Sequence, residues 1–249
     1  MQCYVRDRMT APVVTEQPES STAVLTAVLR LRGVSALPIT RADGTLAGIV
    51  STTDILRVPH AARADELMST PVVTASPDEP LDDAARRLVA ARVHRMVVTE
   101  GDRVVGILST RDILAELKNR KLEEPLSRAM TAHVESIDVG ASVQEAVTRL
   151  TRANVRGLVV VDGSTPVGVF TQFEALAARK LPASHLAGPV EDLMSYETIC
   201  LDARTPIHRA AGYAVAMNVR RILVVDQRKL AGIVSSIDLV DVLARAPDA

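Results

Sequence analysis

Hydrophobic and polar positions follow two periods in a fixed order along this chain. A β-branched run such as residues 71–74 predicts a short strand, and a helical stripe of apolar residues at i, i+3, i+4, i+7 and i+8 comes after it. The stripe falls at Leu81, Ala84, Ala85, Leu88 and Val89, at Val143, Ala146, Val147 and Leu150, and at Ile207, Ala210, Ala211, Ala214 and Val215. Two strands joined by a tight turn follow, and then a second helix begins. The pattern predicts units of strand, helix, strand, strand and helix.

This unit is repeated four times. A methionine opens each copy and a glycine lies in its last strand, and the two are separated by 39, 38, 38 and 38 residues. The pairs are Met9 and Gly48, Met68 and Gly106, Met130 and Gly168, and Met194 and Gly232. The extra residue of the first copy falls in the Asp-Gly turn of residues 41–45, where an insertion is tolerated. We therefore expect four domains, at residues 1–59, 60–121, 122–184 and 185–249.

The repeats are expected to pack in pairs, because a unit of this length buries too little apolar surface alone. Residues 118–125 are the most polar stretch between repeats and are the predicted boundary between a first pair, 1–121, and a second pair, 122–249. Residues 57–64 and 179–189 are the predicted linkers within the two pairs.

Composition and charge narrow the class of protein. With 47% hydrophobic and 24% charged residues the chain is expected to fold, and with 2% aromatic residues its core must be aliphatic. A net charge of -1 gives no reason to expect nucleic acid or an anionic membrane as a partner. Cys3 and Cys200 lack metal-ligand spacing, and neither a secretory signal nor a membrane-spanning run is evident, so a cytoplasmic location is expected.

Each repeat ends its last strand with a hydroxyl residue followed three places later by an acid. These pairs are Ser51 and Asp54, Ser109 and Asp112, Thr171 and Glu174, and Ser235 and Asp238. One interpretation is a capping box, in which hydroxyl and acid satisfy the first amides of a helix. The other is a nucleotide site, because a helix amino terminus binds phosphate and an acid one turn later accepts ribose hydroxyls. Recurrence, and the use of Asp where capping boxes favour Glu or Gln, point to the second.

Catalysis finds no support in the sequence. The motif serines have no histidine and acid at recurring positions, and the pattern of paired carboxylates is absent. The histidines outside the strand starts, His60, His133, His185 and His208, are scattered among linkers and repeat openings. We expect neither an enzyme nor a resident cofactor or metal.

Several of these motifs together resemble the cystathionine β-synthase (CBS) domain family. They are the Met-(Thr/Ser)-x-x-Val openings, the middle strands "GVSALPIT", "VHRMVVTE" and "VRRILVVD", and the Gly-h-h-(Ser/Thr)-x-x-Asp closings. The resemblance implies an α/β fold of four βαββα repeats, paired into two Bateman modules that close into a flat disc. It also implies that nucleotides, most often adenosine compounds, bind in clefts between repeats.

Carried over to this chain, the resemblance assigns candidate ligand-binding residues. Ribose would be bound by Asp54, Asp112 and Asp238, and phosphate by Ser51, Ser109, Thr171, Ser235, His94, Arg95, Arg111, Arg156, Arg220 and Arg221. Adenine would lie against Val13, Val72 and Val134, with Tyr196 as a stacking candidate in the fourth repeat. The His94 and Arg95 pair resembles a basic pair in the γ subunit of AMP-activated protein kinase.

Two repeats depart from the pattern. The first has Ser35 and Ala36 where the others carry basic residues, so its ligand would borrow charge from Arg95 or Arg111. The third has Glu174 in place of Asp, and the bulk of Phe170 and Phe173 in its motif is an alternative filling for its cleft.

The expected function is that of a stand-alone cytosolic regulatory protein. It would bind AMP, ADP or ATP and relay energy or metabolite status to an unknown protein partner. The alternatives are a ligand-free structural or adaptor protein, or a sensor of S-adenosylmethionine, a cyclic dinucleotide or NAD(P). Two assemblies are compatible with the sequence: a closed disc formed by the four repeats of one chain, or a homodimer in which two chains stack through their helices.

Overall fold

The structure is a computed structural model that describes residues 2–58, 61–153, 155, 157–178, 181–196 and 198–245. The chain divides into two compact units, Met1–Ile113 with Leu243–Ala249, and Leu114–Val242. The division falls inside the helix Thr110–Leu117, ahead of the polar stretch 118–125 that the sequence indicated.

The first unit contains the first two repeats. Its elements are α1 (Thr22–Arg32), β1 (Ala36–Thr40), β2 (Leu46–Ser51), α2 (Thr52–Arg57), β3 (Thr74–Ala75), α3 (Leu81–Ala90), β4 (Arg95–Glu100), β5 (Arg103–Ser109) and the start of α4 (Thr110–Leu117). Strands β1 and β2 pair antiparallel, and in the second sheet β4 lies between parallel β3 and antiparallel β5.

The second unit contains the third and fourth repeats. Its elements are β6 (Ser136–Asp138), α5 (Val143–Arg152), β7 (Gly157–Asp162), β8 (Thr165–Thr171), α6 (Gln172–Ala178), α7 (Ala183–Leu186), β9 (Ile199–Asp202), α8 (Ile207–Ala216), β10 (Arg221–Asp226), β11 (Lys229–Ser235) and most of α9 (Ser236–Arg245). Each of its sheets has three strands, in the orders β6-β7-β8 and β9-β10-β11. The predicted α/β fold of βαββα repeats is confirmed.

The opening strands are shorter than predicted. In the second repeat β3 covers only Thr74–Ala75, not residues 71–74, and in the first repeat a single parallel bridge from Glu16 to Ile39 takes the place of a strand. Pro71 has no amide hydrogen to donate, and Ser69 pairs instead with Ile49 of the first repeat. The residues just before this predicted strand therefore pair with the other repeat, as part of an exchange between repeats.

The exchange joins each methionine to a glycine of the other repeat in its pair. A Cβ atom added at Gly106 would lie 2.8 Å from the sulfur of Met9, and one at Gly48 would lie 2.7 Å from that of Met68. In the second unit Met130 lies on Gly232 and Met194 on Gly168 at 2.8 Å. Each of these glycines sits where the register of its strand pair shifts, and only a residue without a side chain fits there.

Backbone hydrogen bonds and apolar packing extend the exchange. A short 3-10 helix precedes each methionine, at Val5–Asp7, Ala64–Glu66, Leu126–Arg128 and Val190–Asp192. The amide of Val5 donates to the carbonyl of Glu79 at 3.0 Å, and that of Ala64 to the carbonyl of Ser20 at 2.9 Å. The core of the first repeat accordingly contains Ala64 and Leu67 of the second. Neither repeat of a pair completes its core alone.

Candidate functional site

In all four motif pairs the acid caps the start of a helix, and in the first repeat the amide of Asp54 also donates to the hydroxyl of Ser51 at 3.3 Å, which completes a capping box. In the first repeat Oδ2 of Asp54 accepts from the amide and from the hydroxyl of Ser51, at 2.8 and 2.5 Å. The same two bonds join Asp112 to Ser109 (2.7 and 2.7 Å), Glu174 to Thr171 (2.7 and 2.5 Å) and Asp238 to Ser235 (2.7 and 2.6 Å). The half of the capping interpretation in which the acid accepts therefore holds in all four repeats, including the Glu of the third, and the complete box is formed in the first.

Capping uses only one of the two carboxylate oxygens of each motif aspartate. Both bonds end on one carboxylate oxygen, and within the described residues Oδ1 of Asp54, Asp112 and Asp238 accepts no hydrogen bond. A carboxylate oxygen has about two lone-pair sites, so each Oδ1 has capacity for ligand hydroxyls. The side chains are half-buried, so they are neither sealed in the core nor fully solvated.

Strand register brings other predicted residues beside these boxes. In the fourth repeat Arg221 is the register partner of Ser235, and because Ile222 pairs with Ile199, Thr198 is next to Arg221 on the other side. The equivalent register pairs are Ala36 with Ser51, Arg95 with Ser109, and Gly157 with Thr171. Continuing the parallel register two or three residues back from the first recorded pair would place Val13, Val72 and Val134 on the other side of Ala36, Arg95 and Gly157, so that each set of three forms a row. Residues in one row point to the same face of a sheet. Each row thus contains a motif hydroxyl at one side and, at the other, the residue at the position predicted to contact adenine.

In the second unit this face is where its two sheets meet. Val159 and Val169 of the third repeat form a buried cluster with Leu223 of the fourth, and Val134 packs against it. Strand alternation places the rows of both repeats on the face of this cluster. The rows therefore lie at the end of an apolar layer between two sheets.

Arg95 connects the two rows of the first unit. Its Nη2 donates to Oγ of Ser35 at 2.6 Å, and the carbonyl of Ser35 accepts from the amide of Thr52, the first residue of α2, at 3.1 Å. The structure thus brings a guanidinium of the second repeat next to the box of the first, which has no basic residue of its own at this place. His94 is half-buried beside α4, and Arg111 is exposed in its first turn.

The fourth repeat has two arginines at its strand start. The carbonyl of Arg220 accepts from the amide of Ser236 at 3.1 Å, which fixes Arg220 beside the start of α9. Part of its side chain is exposed, while desolvation by the surrounding protein lowers the pKa of the guanidinium. A partly dehydrated cation interacts more strongly with an anion than one in bulk water. Arg156, the equivalent candidate of the third repeat, lies outside the described residues.

The third repeat differs in its bulky residues. Phe170 has 0% exposure in the core of its own repeat with Leu158 and Val160, so it packs on the helix side of the sheet. Phe173 is 53% exposed on α6. The alternative that Phe170 fills the cleft is wrong, because strand alternation directs its side chain to the opposite face from Thr171.

Two open depressions lie away from the motif acids. One of about 450 Å³ is lined by Thr15, Glu16, Gln17, Ser20, Thr40, Arg41, Ala42 and Gly44, and one of about 250 Å³ by Ala132, Val134, Ser136, Val161, Gly163, Ser164 and Leu230. Each includes residues of a hairpin turn, 41–44 in the first and 163–164 in the second, which lie at the other end of their strand pair from the motif hydroxyl. Of the predicted residues, Val134 lines the second. The rows are the candidate site because strand pairing brings hydroxyl, carboxylate and guanidinium groups together there, and the size of a cavity plays no part in this choice.

Sequence reasoning missed one residue of the rows. Thr198 is four residues after Met194, as Val13, Val72 and Val134 are four residues after their methionines, so counting from the methionine would have found it. Its Oγ1 is buried without a hydrogen-bond partner among the described residues. Tyr196, the predicted stacking residue, is 64% exposed and lies outside the row.

Two further findings concern other classes of site. Among the described residues no cluster of three or more His, Cys, Asp or Glu side chains has the arrangement to bind a metal ion. Over the same part of the chain, no helix is both long enough and apolar enough to cross a membrane.

Comparison with known proteins matches this geometry to one family. The sequence profile of the CBS domain matches residues 5–61, 64–119, 126–180 and 190–245. Protein MJ1225 of Methanocaldococcus jannaschii, which has been proposed as an archaeal homologue of the AMP-activated protein kinase γ subunit, superposes with a TM-score of 0.82. The superposition covers 96% of this chain and 99% of that protein at 16% identity, and it is a likeness of fold.

Two curated relatives are longer than this chain. Protein MJ1404 of Methanocaldococcus jannaschii is 26% identical over 262 residues, 96% of this chain and 62% of its own length. Homoserine O-acetyltransferase of Methanococcoides burtonii is 32% identical over 112 residues, 44% of this chain and 23% of the enzyme. The chain thus spans less than two thirds of either relative, and most of the enzyme lies outside the match. Because four profile matches cover most of the sequence and each pair of repeats exchanges its opening segments, the chain belongs to the CBS-domain family, with four CBS domains paired as two Bateman modules.

Proposed function

We propose that the chain is a regulatory protein that binds adenosine-containing ligands along the rows of its CBS domains. The observation that carries the proposal is the row of the fourth repeat. There Ser235 pairs with Arg221, the register of β9 extended by one residue places Thr198 on the other side of Arg221, and Asp238 has one carboxylate oxygen uncommitted. A hydroxyl, a cation and a carboxylate at the end of an apolar layer match the chemistry of a sugar phosphate joined to a base.

Each group has a role in this proposal. The uncommitted Oδ1 of Asp54, Asp112 or Asp238 accepts the ribose hydroxyls, as acidic residues do in dinucleotide folds. The phosphate lies at the helix start beside the motif hydroxyl and the nearest guanidinium, where the positive end of the helix dipole and the cationic side chain favour an anion. In the first repeat that guanidinium is Arg95, already positioned at Ser35.

The energy of such a site is sufficient for regulation. A hydrogen bond to a charged group contributes roughly 1.5–3 kcal/mol, and micromolar affinity requires about 8 kcal/mol. Three or four such contacts, with burial of the base, reach that value. Adenine nucleotides, AMP foremost, are the proposed ligands, and the proposed γ-subunit homology of MJ1225 supports this choice.

Regulation would follow from a population shift. A ligand changes the balance between two arrangements of the paired repeats only if it binds them with different affinity. The opening segments exchanged within each pair couple the two rows, and the arrangement favoured by ligand would be read by an unknown protein partner.

One observation favours a second candidate, a ligand-free adaptor. In all four repeats the motif acid accepts a hydrogen bond from the hydroxyl of its own motif, as expected if the pairs serve only to start helices. Thermal unfolding separates the two candidates. A ligand that binds only the folded state at 100 times its Kd stabilises it by about 2.7 kcal/mol. AMP, ADP, ATP, S-adenosylmethionine, a cyclic dinucleotide and NAD(P) are the panel, and no increase in Tm with any of them would favour the adaptor.

The third repeat supplies a matched control for the binding residues. Glu174 forms the same two bonds as the three aspartates, so Glu174→Ala, Asp54→Ala, Asp112→Ala and Asp238→Ala should each cost about 1 kcal/mol of stability. Only the aspartate variants should also weaken ligand binding in calorimetric titration. Unchanged affinity in all four variants would show that the acids act as caps alone.

A further inference from the structure

Thr198 carries a buried hydroxyl that the folded chain does not use. Within the described residues, Oγ1 is covered by protein and has no hydrogen-bond partner. Leaving a buried polar group unpaired lowers stability, so most such groups in folded proteins are satisfied. An exception invites a specific explanation, and an absent ligand is one.

The place of Thr198 in the fold makes a ligand the simplest partner. The residue immediately precedes β9, and the register of β9 with β10 places it beside Arg221, which in turn pairs with Ser235. These side chains share the face on which Leu223 and Ile233 meet the third repeat. The orphan hydroxyl therefore belongs to the same row as the proposed phosphate-binding groups.

The other three repeats provide an internal comparison. At the same distance from their methionines they carry valine, which has nearly the shape of threonine but no hydroxyl. Packing alone is thus satisfied by valine at this position. Threonine adds only a donor and acceptor of hydrogen bonds, and it does so in a repeat that has both a motif aspartate and two arginines.

We propose that Thr198 hydrogen-bonds the base of the nucleotide bound at the fourth repeat. The inference rests on the proposed function. Adjacent strands are about 4.8 Å apart, so Thr198 and Ser235, two strands apart, are separated by roughly 10 Å. That span matches a nucleoside monophosphate with its phosphate at Ser235 and its base at Thr198.

The hydroxyl is covered by protein, so the proposed contact requires neighbouring side chains to move aside on binding. A threonine hydroxyl can accept from an exocyclic amino group or donate to a ring nitrogen. Either bond satisfies a group that the free protein leaves unpaired, so binding removes an existing penalty.

Thr198→Val tests the proposal, because the substitution makes the fourth repeat like the others. Removing an unpaired buried hydroxyl should leave Tm equal to or higher than that of the wild type, while AMP binding at this repeat weakens about tenfold, the size of one neutral hydrogen bond. The NMR signal of the Ser236 amide, which donates to the carbonyl of Arg220, reports this repeat separately from the others. A loss of affinity without a loss of stability is not expected from a structural role.

Two variants control the measurement. Thr198→Ser keeps a hydroxyl and should retain affinity within about threefold, whereas Thr151→Val removes a hydroxyl that bonds within α5 and should not change AMP binding. Wild-type affinity in Thr198→Val, with binding still lost in Asp238→Ala, would overturn this inference and leave the proposed function intact. No response of the Ser236 amide to any adenosine ligand in the wild type would overturn both at this repeat.

Discussion

The exchange of opening segments between paired repeats makes a specific prediction about Gly232. A Cβ atom at this position would lie 2.8 Å from the sulfur of Met130 and 2.8 Å from the carbonyl oxygen of Thr131. The backbone of Thr131 cannot move away without breaking two hydrogen bonds, because its amide donates to the carbonyl of Ile233 at 2.9 Å and its carbonyl accepts from the amide of Ile233 at 3.0 Å. Gly232→Ala must therefore either push the methionine out or break this bridge.

The expected cost follows from two opposing effects. Overpacking a well-packed site costs about 1–3 kcal/mol, whereas replacing a strand glycine by alanine gains roughly 0.5–1 kcal/mol of chain entropy. The net effect should be a loss of about 1–2 kcal/mol. Gly212→Ala is the matched control in the same unit, since a Cβ there meets nothing within 4 Å on α8 and alanine should stabilise the helix by up to about 1 kcal/mol.

Urea unfolding followed by circular dichroism measures the difference between the two variants. The midpoint of Gly232→Ala should fall below that of the wild type, and the midpoint of Gly212→Ala should rise slightly or stay. If Gly232→Ala proves as stable as Gly212→Ala, the methionine and glycine contact does not hold the two repeats together.

Two further predictions concern the amino-terminal segment and a cysteine. Deleting residues 2–10 removes the buried Val5, whose amide bonds Glu79 just before α3. Amide hydrogen exchange should therefore accelerate in α3 (Leu81–Ala90) and not in α1 (Thr22–Arg32). Equal acceleration in both helices would contradict the proposed swap of opening segments between repeats. Although Cys200 lies at the surface, partial desolvation raises the pKa of its thiol. Less thiolate is then present at pH 8, so alkylation of Cys200 by iodoacetamide, followed on its own peptide by mass spectrometry, should be slower in the folded chain than in urea. An alkylation rate that does not change on unfolding would contradict the second prediction.

The sequence predicts those features that depend on local spacing. The stripe at Leu81, Ala84, Ala85 and Leu88 specifies a helix and its buried face, because side chains three and four residues apart lie on one side of a helix. The capping boxes are equally local, since a hydroxyl and an acid three residues apart meet whenever a helix starts between them.

Features that depend on non-local pairing were not predictable in the same way. Met9 is equally well placed in the sequence to contact Gly48 of its own repeat or Gly106 of the next, and only the fold selects Gly106. In a repeated sequence, equal spacing is compatible with both pairings. The sequence likewise shows Thr198 where other repeats have valine, but the missing partner of its hydroxyl depends on everything packed around it.

Binding of ribose by the motif aspartates is the central claim, and one calorimetric comparison tests it most directly. AMP and 2′,3′-dideoxyadenosine 5′-monophosphate differ only in the ribose hydroxyls that these carboxylates would bind. Wild-type protein should bind AMP at least about tenfold more tightly than the dideoxy compound, as expected for hydrogen bonds to a charged group. A variant with Asp54→Ala, Asp112→Ala and Asp238→Ala should bind both equally weakly. Equal affinities in the wild type, or discrimination that survives in the triple variant, would contradict the account.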